Sequence, residues 1–138
     1  MKAEPIFIDT SFFKALIDHN DQFHPLAVKI WEEVRGSGYQ LVSSNYIIDE
    51  TVTLLRARAG LSAVMSFREI LTNSRLIKIA RVSVNDEAKG WNWIQKDWSN
   101  LSFSDCVSFS QMKRLGINKA CTFDKHFSRA GFEIVGVD

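Results

Sequence analysis

Short apolar runs alternate with longer amphipathic segments along this chain, and that alternation sets the expected elements. Pro5-Ile6-Phe7-Ile8-Asp9 is a buried strand ending on an acid, followed by a short helix over 11–18 that breaks at the polar Asp18-His19-Asn20-Asp21. A second helix runs from Pro25, a favoured first-turn residue, to Arg35, with Leu26, Ile30 and Val34 on one face and Gly36-Ser37-Gly38 ending it. Strand 40–43, helices 45–59 and 61–73, strand 75–80, helices 84–97 and 104–115, strand 119–123 and a last strand near 132–137 follow. Strands joined through helices predict an α/β fold: a three-layer α/β/α sandwich around a mainly parallel sheet covered on both faces. The 138 residues contain no linker, low-complexity segment or internal repeat, so one domain over 1–138 is expected.

Four acids stand where the flanking pattern is apolar. Asp9 ends the first strand and Asp124 ends Ala120-Cys121-Thr122-Phe123-Asp124, the place where ligand sites open in parallel α/β sheets. In helix 45–59, Ile48, Val52, Leu55 and Ala59 make one apolar stripe and Ile47, Leu54 and Ala57 another. Glu50 lies within the second stripe, whereas Asp49 shares a solvated face with Thr53 and Arg56 and is expected to point elsewhere. Asp105 aligns with Phe109 and Met112 on the apolar side of its helix. Each strand-end or helix-start acid also has a structural explanation: Ser102-Phe103-Ser104-Asp105 fits a capping box, and Asp9 and Asp124 fit N-caps. Independent caps need not converge, but parallel βα units bring strand ends and helix starts to one edge of the sheet. If the four meet, each like-charged pair about 5 Å apart repels by roughly 3 kcal/mol at an effective dielectric of about 20. A divalent cation relieves that repulsion. Oxygen ligands suit Mg²⁺ or Mn²⁺ rather than zinc, because no pair of histidines or cysteines shows ligand spacing.

Composition narrows the surroundings. A formal charge of +1 excludes a strongly basic nucleic-acid coat while leaving a local patch open; the slight basic excess is C-terminal, with ten Lys/Arg against seven Asp/Glu over residues 70–138. Cys106 and Cys121 read as small buried thiols. The N-terminal stretch holds Glu4 and Asp9 and so lacks a signal-peptide core, and no run approaches the roughly 18 apolar residues of a membrane span; a cytoplasmic protein is expected. His19, His24 and His126 read as ordinary polar or partly buried histidines, and Trp91, Trp93 and Trp98 as core or interface residues rather than a base-stacking platform.

Four segments together resemble the PIN domain, in particular the VapC-type toxins of bacterial and archaeal toxin–antitoxin pairs. They are Phe7-Ile8-Asp9-Thr10-Ser11; Ile48-Asp49-Glu50-Thr51 with Leu54-Leu55-Arg56; Leu101-Ser102-Phe103-Ser104-Asp105; and Thr122-Phe123-Asp124-Lys125-His126-Phe127 with Gly131-Phe132. The resemblance spans essentially the whole chain and matches all four acids in order. It implies that Asp9, Glu50, Asp105 and Asp124 bind Mg²⁺ or Mn²⁺ and cleave RNA phosphodiester bonds, that the protein forms a homodimer, and that a small antitoxin occludes the site. Cys106 follows the third acid where many relatives carry alanine, a change small enough to keep the helix packing.

The chemistry so implied is metal-assisted hydrolysis with Asp9 as the central ligand. Thr10, Ser11 and Thr122 carry hydroxyls near the same edge that could hold phosphate or cap helices, and Lys125 and Arg129 could meet the RNA backbone. An acylphosphate on Asp9 would call for a second acid two residues on, where Ser11 stands. A non-catalytic binding module would tolerate loss of acids, yet all four are present. A PIN-fold nuclease of RNA processing or decay, acting without an antitoxin, fits the same residues.

Overall fold

The computed structural model describes residues 3–73 and 76–136. Five short strands, β1 (Pro5–Ile8), β2 (Gln40–Ser44), β3 (Ile77–Ala80), β4 (Lys119–Cys121) and β5 (Glu133–Ile134), form one sheet in the order β3-β2-β1-β4-β5. Every pairing is parallel. Ile6, Phe7 and Ile8 on the central strand are sealed from solvent, as expected of a strand covered on both faces. The expected strands are shorter in the structure, except β2, which runs one residue further, to Ser44. Arg75, at the start of the third, and Val137, at the end of the last, lie outside the described residues.

The connections are helical. Helices α1 (Thr10–Ile17), α2 (His24–Arg35), α3 (Asn45–Arg58) and α4 (Leu61–Asn73) pack among themselves, with Phe13 of α1 edge-on to Phe67 of α4. Helices α5 (Val84–Ile94), α6 (Phe103–Leu115) and α7 (Lys125–Arg129) form the second group. Right-handed crossovers place these groups on opposite faces, because the chain steps outward from β1 to β3 and then returns past β1 to β4 and β5. The result is the expected three-layer α/β/α sandwich.

Helix α6 is buried along its whole middle, from Asp105 to Met112, since the sheet, α5 and α7 enclose it. Gly90 lets α5 approach it: a Cβ there would meet Val107 Cγ2 at 3.0 Å. Arg114 then clamps α6 to α5 through two 2.8 Å bonds, from Nε and Nη2 to the Asp86 carboxylate. At its far end α6 stops at Gly116, whose φ of 70° places it in the left-handed region that glycine adopts without strain.

Among the helices, beyond shifts of one residue, one end and one additional element differ from expectation. Helix α5 ends at Ile94 rather than near residue 97, and Asp97 and Asn100 then turn the chain with φ of 56° and 62°. Helix α7, too short to show a period in the sequence, forms on the N-cap that Asp124 provides to His126 N at 2.9 Å. Its one fully buried side chain, Phe127, touches Phe7, Phe109 and Phe132. Phe127→Ala is expected to cost about 3–5 kcal/mol, the range for emptying a buried aromatic site. Urea denaturation checks this, and a loss below about 1 kcal/mol would mean that α7 is not anchored by this residue.

Candidate metal centre and cleft

Connections leave β1 and β4 toward opposite faces of the sheet, and a crevice opens beyond their C-terminal ends. Asp9 continues β1, its amide bonded to Cys121 O at 3.1 Å, and Asp124 follows β4 by three residues. Glu50 comes from α3 and Asp105 from the first turn of α6. All four line one cleft of about 1000 Å³. The two expected stripes of α3 are regrouped: Ile47 joins Thr51 and Leu55 in the core while Ile48, Val52 and Ala59 are half-buried, and Glu50 with Leu54 and Ala57 forms a wall of the cleft. Asp49 is exposed, as expected of a solvated face, but with Thr53 it borders the mouth of the same cleft rather than pointing away.

Asp9 is only 2% exposed and is held through one oxygen. Its Oδ2 accepts from Ser11 Oγ and Thr122 Oγ1, each at 2.9 Å, and more weakly from Ser11 N at 3.4 Å. Those hydroxyls in turn accept from the amides of Phe123 and Asp124, both at 2.9 Å. Each hydroxyl has a single hydrogen and Asp9 is the nearer acceptor for both, while Ser11 Oγ and Thr122 Oγ1 also stand 3.1 Å apart. Among the described bonds Asp9 Oδ1 receives none. Thr10 also lines the cleft, with its buried hydroxyl unpartnered. Lys125 and Arg129 sit on the exposed side of α7 outside the cleft lining, and the Arg129 guanidinium lies 4.6 Å over the Trp98 ring.

The capping and convergent readings of the acids are both realised. Asp105 closes a capping box with Ser102, donating its amide to Ser102 Oγ at 3.0 Å and accepting from Ser102 N at 3.3 Å. Burial pushes its carboxyl up to about 9, helped by the charges of Asp9 and Asp124 and by a bond shared with Asp124. Burial likewise raises Asp9 to about 6, against the lowering effect of the Thr122 and Ser11 bonds and with the charges of Glu50 and Asp124 adding to it. Among the described residues no lysine or arginine forms an ion pair with any of the four. An acid set of this kind fits a divalent cation: the donors are oxygens, they are drawn together, and no lysine or arginine among the described residues neutralises them.

His126 is partly buried, as the sequence suggested, but its place beside the acids was not expected: its Nδ1 lies 2.9 Å from Asp124 Oδ1 and 3.7 Å from Asp105 Oδ2. The available signal was its place two residues after a strand-end acid, in the first turn of a capped helix. His19 and His24 do behave as expected, with rings 4.8 Å apart and His24 Nδ1 on Ala15 O at 2.8 Å. Both cysteines are free and buried, which raises Cys106 to about 11 and Cys121 to about 12. Trp93 packs edge-on to Phe109 and Trp98, a core role as expected. No helix of the described residues is long and apolar enough to cross a membrane.

A model of the PIN domain matches residues 6–133, and the chain belongs to the PIN-domain family. It is 35% identical over 128 residues, 92% of this chain and 95% of its counterpart, to the 23S rRNA-specific endonuclease VapC20 of Mycobacterium tuberculosis. The crystal structure of M. tuberculosis VapC20, a sarcin–ricin loop cleaving toxin, has a TM-score of 0.83 and 34% identity, covering 96% of this chain and 98% of that one. FitAcB from Neisseria gonorrhoeae shares the fold at a TM-score of 0.66 and 13% identity, covering 94% of this chain and 96% of that one.

The raised carboxyls give the metal-free protein a defined pH response. A folded-state value above the unfolded one means that the native state keeps a proton the unfolded chain has released, so this contribution to stability falls as pH rises. Asp9 sets the fall between about 4 and about 6, and Asp105 extends it to about 9. Asp105→Asn preserves the capping oxygen but removes the titration. In EDTA, native-minus-variant stability from urea melts is expected to fall between pH 5 and 8; a flat or rising difference would contradict the electrostatics described.

Proposed function

We propose that this protein is a metal-dependent endoribonuclease, the toxin of a toxin–antitoxin pair. The observation that carries the reading is the convergence of Asp9, Glu50, Asp105 and Asp124 at the switch point of a PIN fold, with no lysine or arginine among the described residues paired to them. Its support is the 35% identity, over nearly all of both chains, to a 23S rRNA-specific endonuclease. Those four acids would hold the ion, Mg²⁺ or Mn²⁺. Bound there, a divalent cation supplies Lewis acidity, which makes water a competent nucleophile near neutral pH and offsets charge on the phosphate.

The chain's own residues do the rest. Ser11 and Thr122 fix the rotamer of Asp9 and leave its Oδ1 for the cleft, so they position the central acid instead of reaching the RNA themselves. Asp105, whose carboxyl burial pushes up to about 9, holds a proton that it would release on binding a cation. Glu50, across the cleft on α3, orients the attacking water. Thr10 donates to a substrate phosphate, Arg58 and Asn100 on the cleft lining bind the adjoining backbone, and Lys125 and Arg129 meet RNA that leaves over α7. RNA is the substrate in the cytoplasm, two copies of the chain form a dimer, and a small antitoxin silences the enzyme by covering the cleft.

Purified protein is expected to cleave RNA with Mg²⁺ or Mn²⁺ and not in EDTA. Asp9→Asn should lose at least about 100-fold, the scale of deleting one electrostatic contact to a transition state, with its fold intact. Expressed alone, the native chain should arrest growth and the variant should not. Cleavage undiminished in EDTA or in Asp9→Asn would reject the acid site, whereas metal-dependent cleavage with harmless expression would reject the toxin in favour of an RNA-processing nuclease.

A further inference from the structure

His126 Nε2 lies 2.9 Å from the Ser99 carbonyl oxygen, which can only accept, so the ring hydrogen on that side is fixed. Nδ1 is thereby turned inward. The ring is also held flat, stacked on Trp98 at 6.0 Å between centroids and 10° between planes, with Arg129 over the same indole. Such outer support is what orients metal-ligating imidazoles.

Nδ1 is buried yet forms no hydrogen bond within the protein. It stands 2.9 Å from Asp124 Oδ1 without the alignment of a hydrogen bond, and 3.7 Å from Asp105 Oδ2. With the ring hydrogen on the Ser99 side, the Nδ1 lone pair faces two carboxyl oxygens, a contact that is repulsive until a proton or a metal ion lies among the three. One ligand atom from each of Asp105, Asp124 and His126 falls within 4.8 Å of the others. Opposite ligands of an octahedral Mg²⁺ stand roughly 4.2 Å apart, at bonds of about 2.1 Å, so small side-chain adjustments let one ion reach all three.

We infer that His126 is a nitrogen ligand of the divalent cation, sharing it with Asp105 and Asp124. This rests on the nuclease reading for the presence of the ion, and it changes the donor set from oxygen alone to mixed nitrogen and oxygen. Imidazole favours transition metals over Mg²⁺, so the site discriminates toward Mn²⁺ more than four carboxylates would. Ser99 and Trp98 are positioning residues for the ring.

The direct test is pulsed electron paramagnetic resonance of Mn²⁺ bound to the native protein without RNA. Directly coordinated ¹⁴N coupling is expected, replaced by ¹⁵N coupling in protein carrying labelled histidine. In parallel, His126→Phe keeps a ring for the Trp98 stack and removes the nitrogen. It should lower Mn²⁺ affinity at least about tenfold and Mg²⁺ affinity less, so the preference between the metals narrows. Bound Mn²⁺ without nitrogen coupling, or a variant binding Mn²⁺ as tightly as the native chain, overturns the inference and leaves the nuclease reading standing; the second result would mean that a protonated ring merely bridges the carboxylates. Failure of the native protein to bind Mn²⁺ at all overturns both. Should His126→Phe not fold, the native spectrum decides.

Discussion

Asp86 and Asp105 occupy the same place in their helices, each the third residue of a capping box, and each is nearly sealed from water at 1% and 6% exposure. Their carboxyl groups nevertheless move in opposite directions. Burial pushes against ionisation at Asp86, but the Arg114 and Ser83 bonds overcome it and hold that group below the usual carboxylate range. At Asp105 burial acts with the charges of Asp9 and Asp124, and the group is pushed up to about 9. The difference is a cation. One buried acid has Arg114 at 2.8 Å, and the other faces acids and an unpartnered imidazole nitrogen. Burying like charges together is costly unless something positive arrives, and that constraint organises the cleft.

The sheet topology creates the constraint. With β1 central and β4 beside it, the chain departs to opposite faces, and the ends of these strands deliver Asp9 and Asp124 to one crevice. The groups that would ordinarily stabilise single acids are used to aim them. Ser11 and Thr122 take one oxygen of Asp9, Ser102 binds one of Asp105, and the His126 amide binds one of Asp124. Asp9 takes its described bonds on one oxygen and leaves the other for the cleft, whereas Asp105 Oδ2 and Asp124 Oδ1 each accept a capping amide and also face His126 Nδ1, because a carboxylate oxygen has more than one lone pair. The Asp86–Arg114 clamp lies outside the cleft and keeps α5 against α6, the helix that presents Asp105.

Much of this was legible in the sequence because it is periodic or local. Strand-end acids, the box at Ser102 and Asp105, and the separation of Glu50 from the core stripe of α3 follow from strand and helix geometry. What escaped was non-local. Ser83-Val84-Asn85-Asp86 has the same pattern as the second box, and nothing in the neighbouring residues reveals that Arg114 neutralises one acid and leaves the other bare. Asp49 borders the cleft because the cleft is wider than one helical face. His126 depends on Ser99 and Trp98, 27 positions away in the case of Ser99, and on a turn with left-handed residues at 97 and 100 that no period announces. Helix α7 is shorter than the window in which a helical repeat can be recognised.

The position of a bound cation decides whether the acids form a metal centre. Anomalous diffraction from crystals of the protein soaked in Mn²⁺ measures that position without reference to activity, partner or substrate. A manganese peak inside the cleft, within bonding distance of the Asp105 and Asp124 carboxylates and on the side toward Asp9, is the predicted result. Full occupancy elsewhere on the surface, with the four acids unliganded and still drawn together, would contradict it.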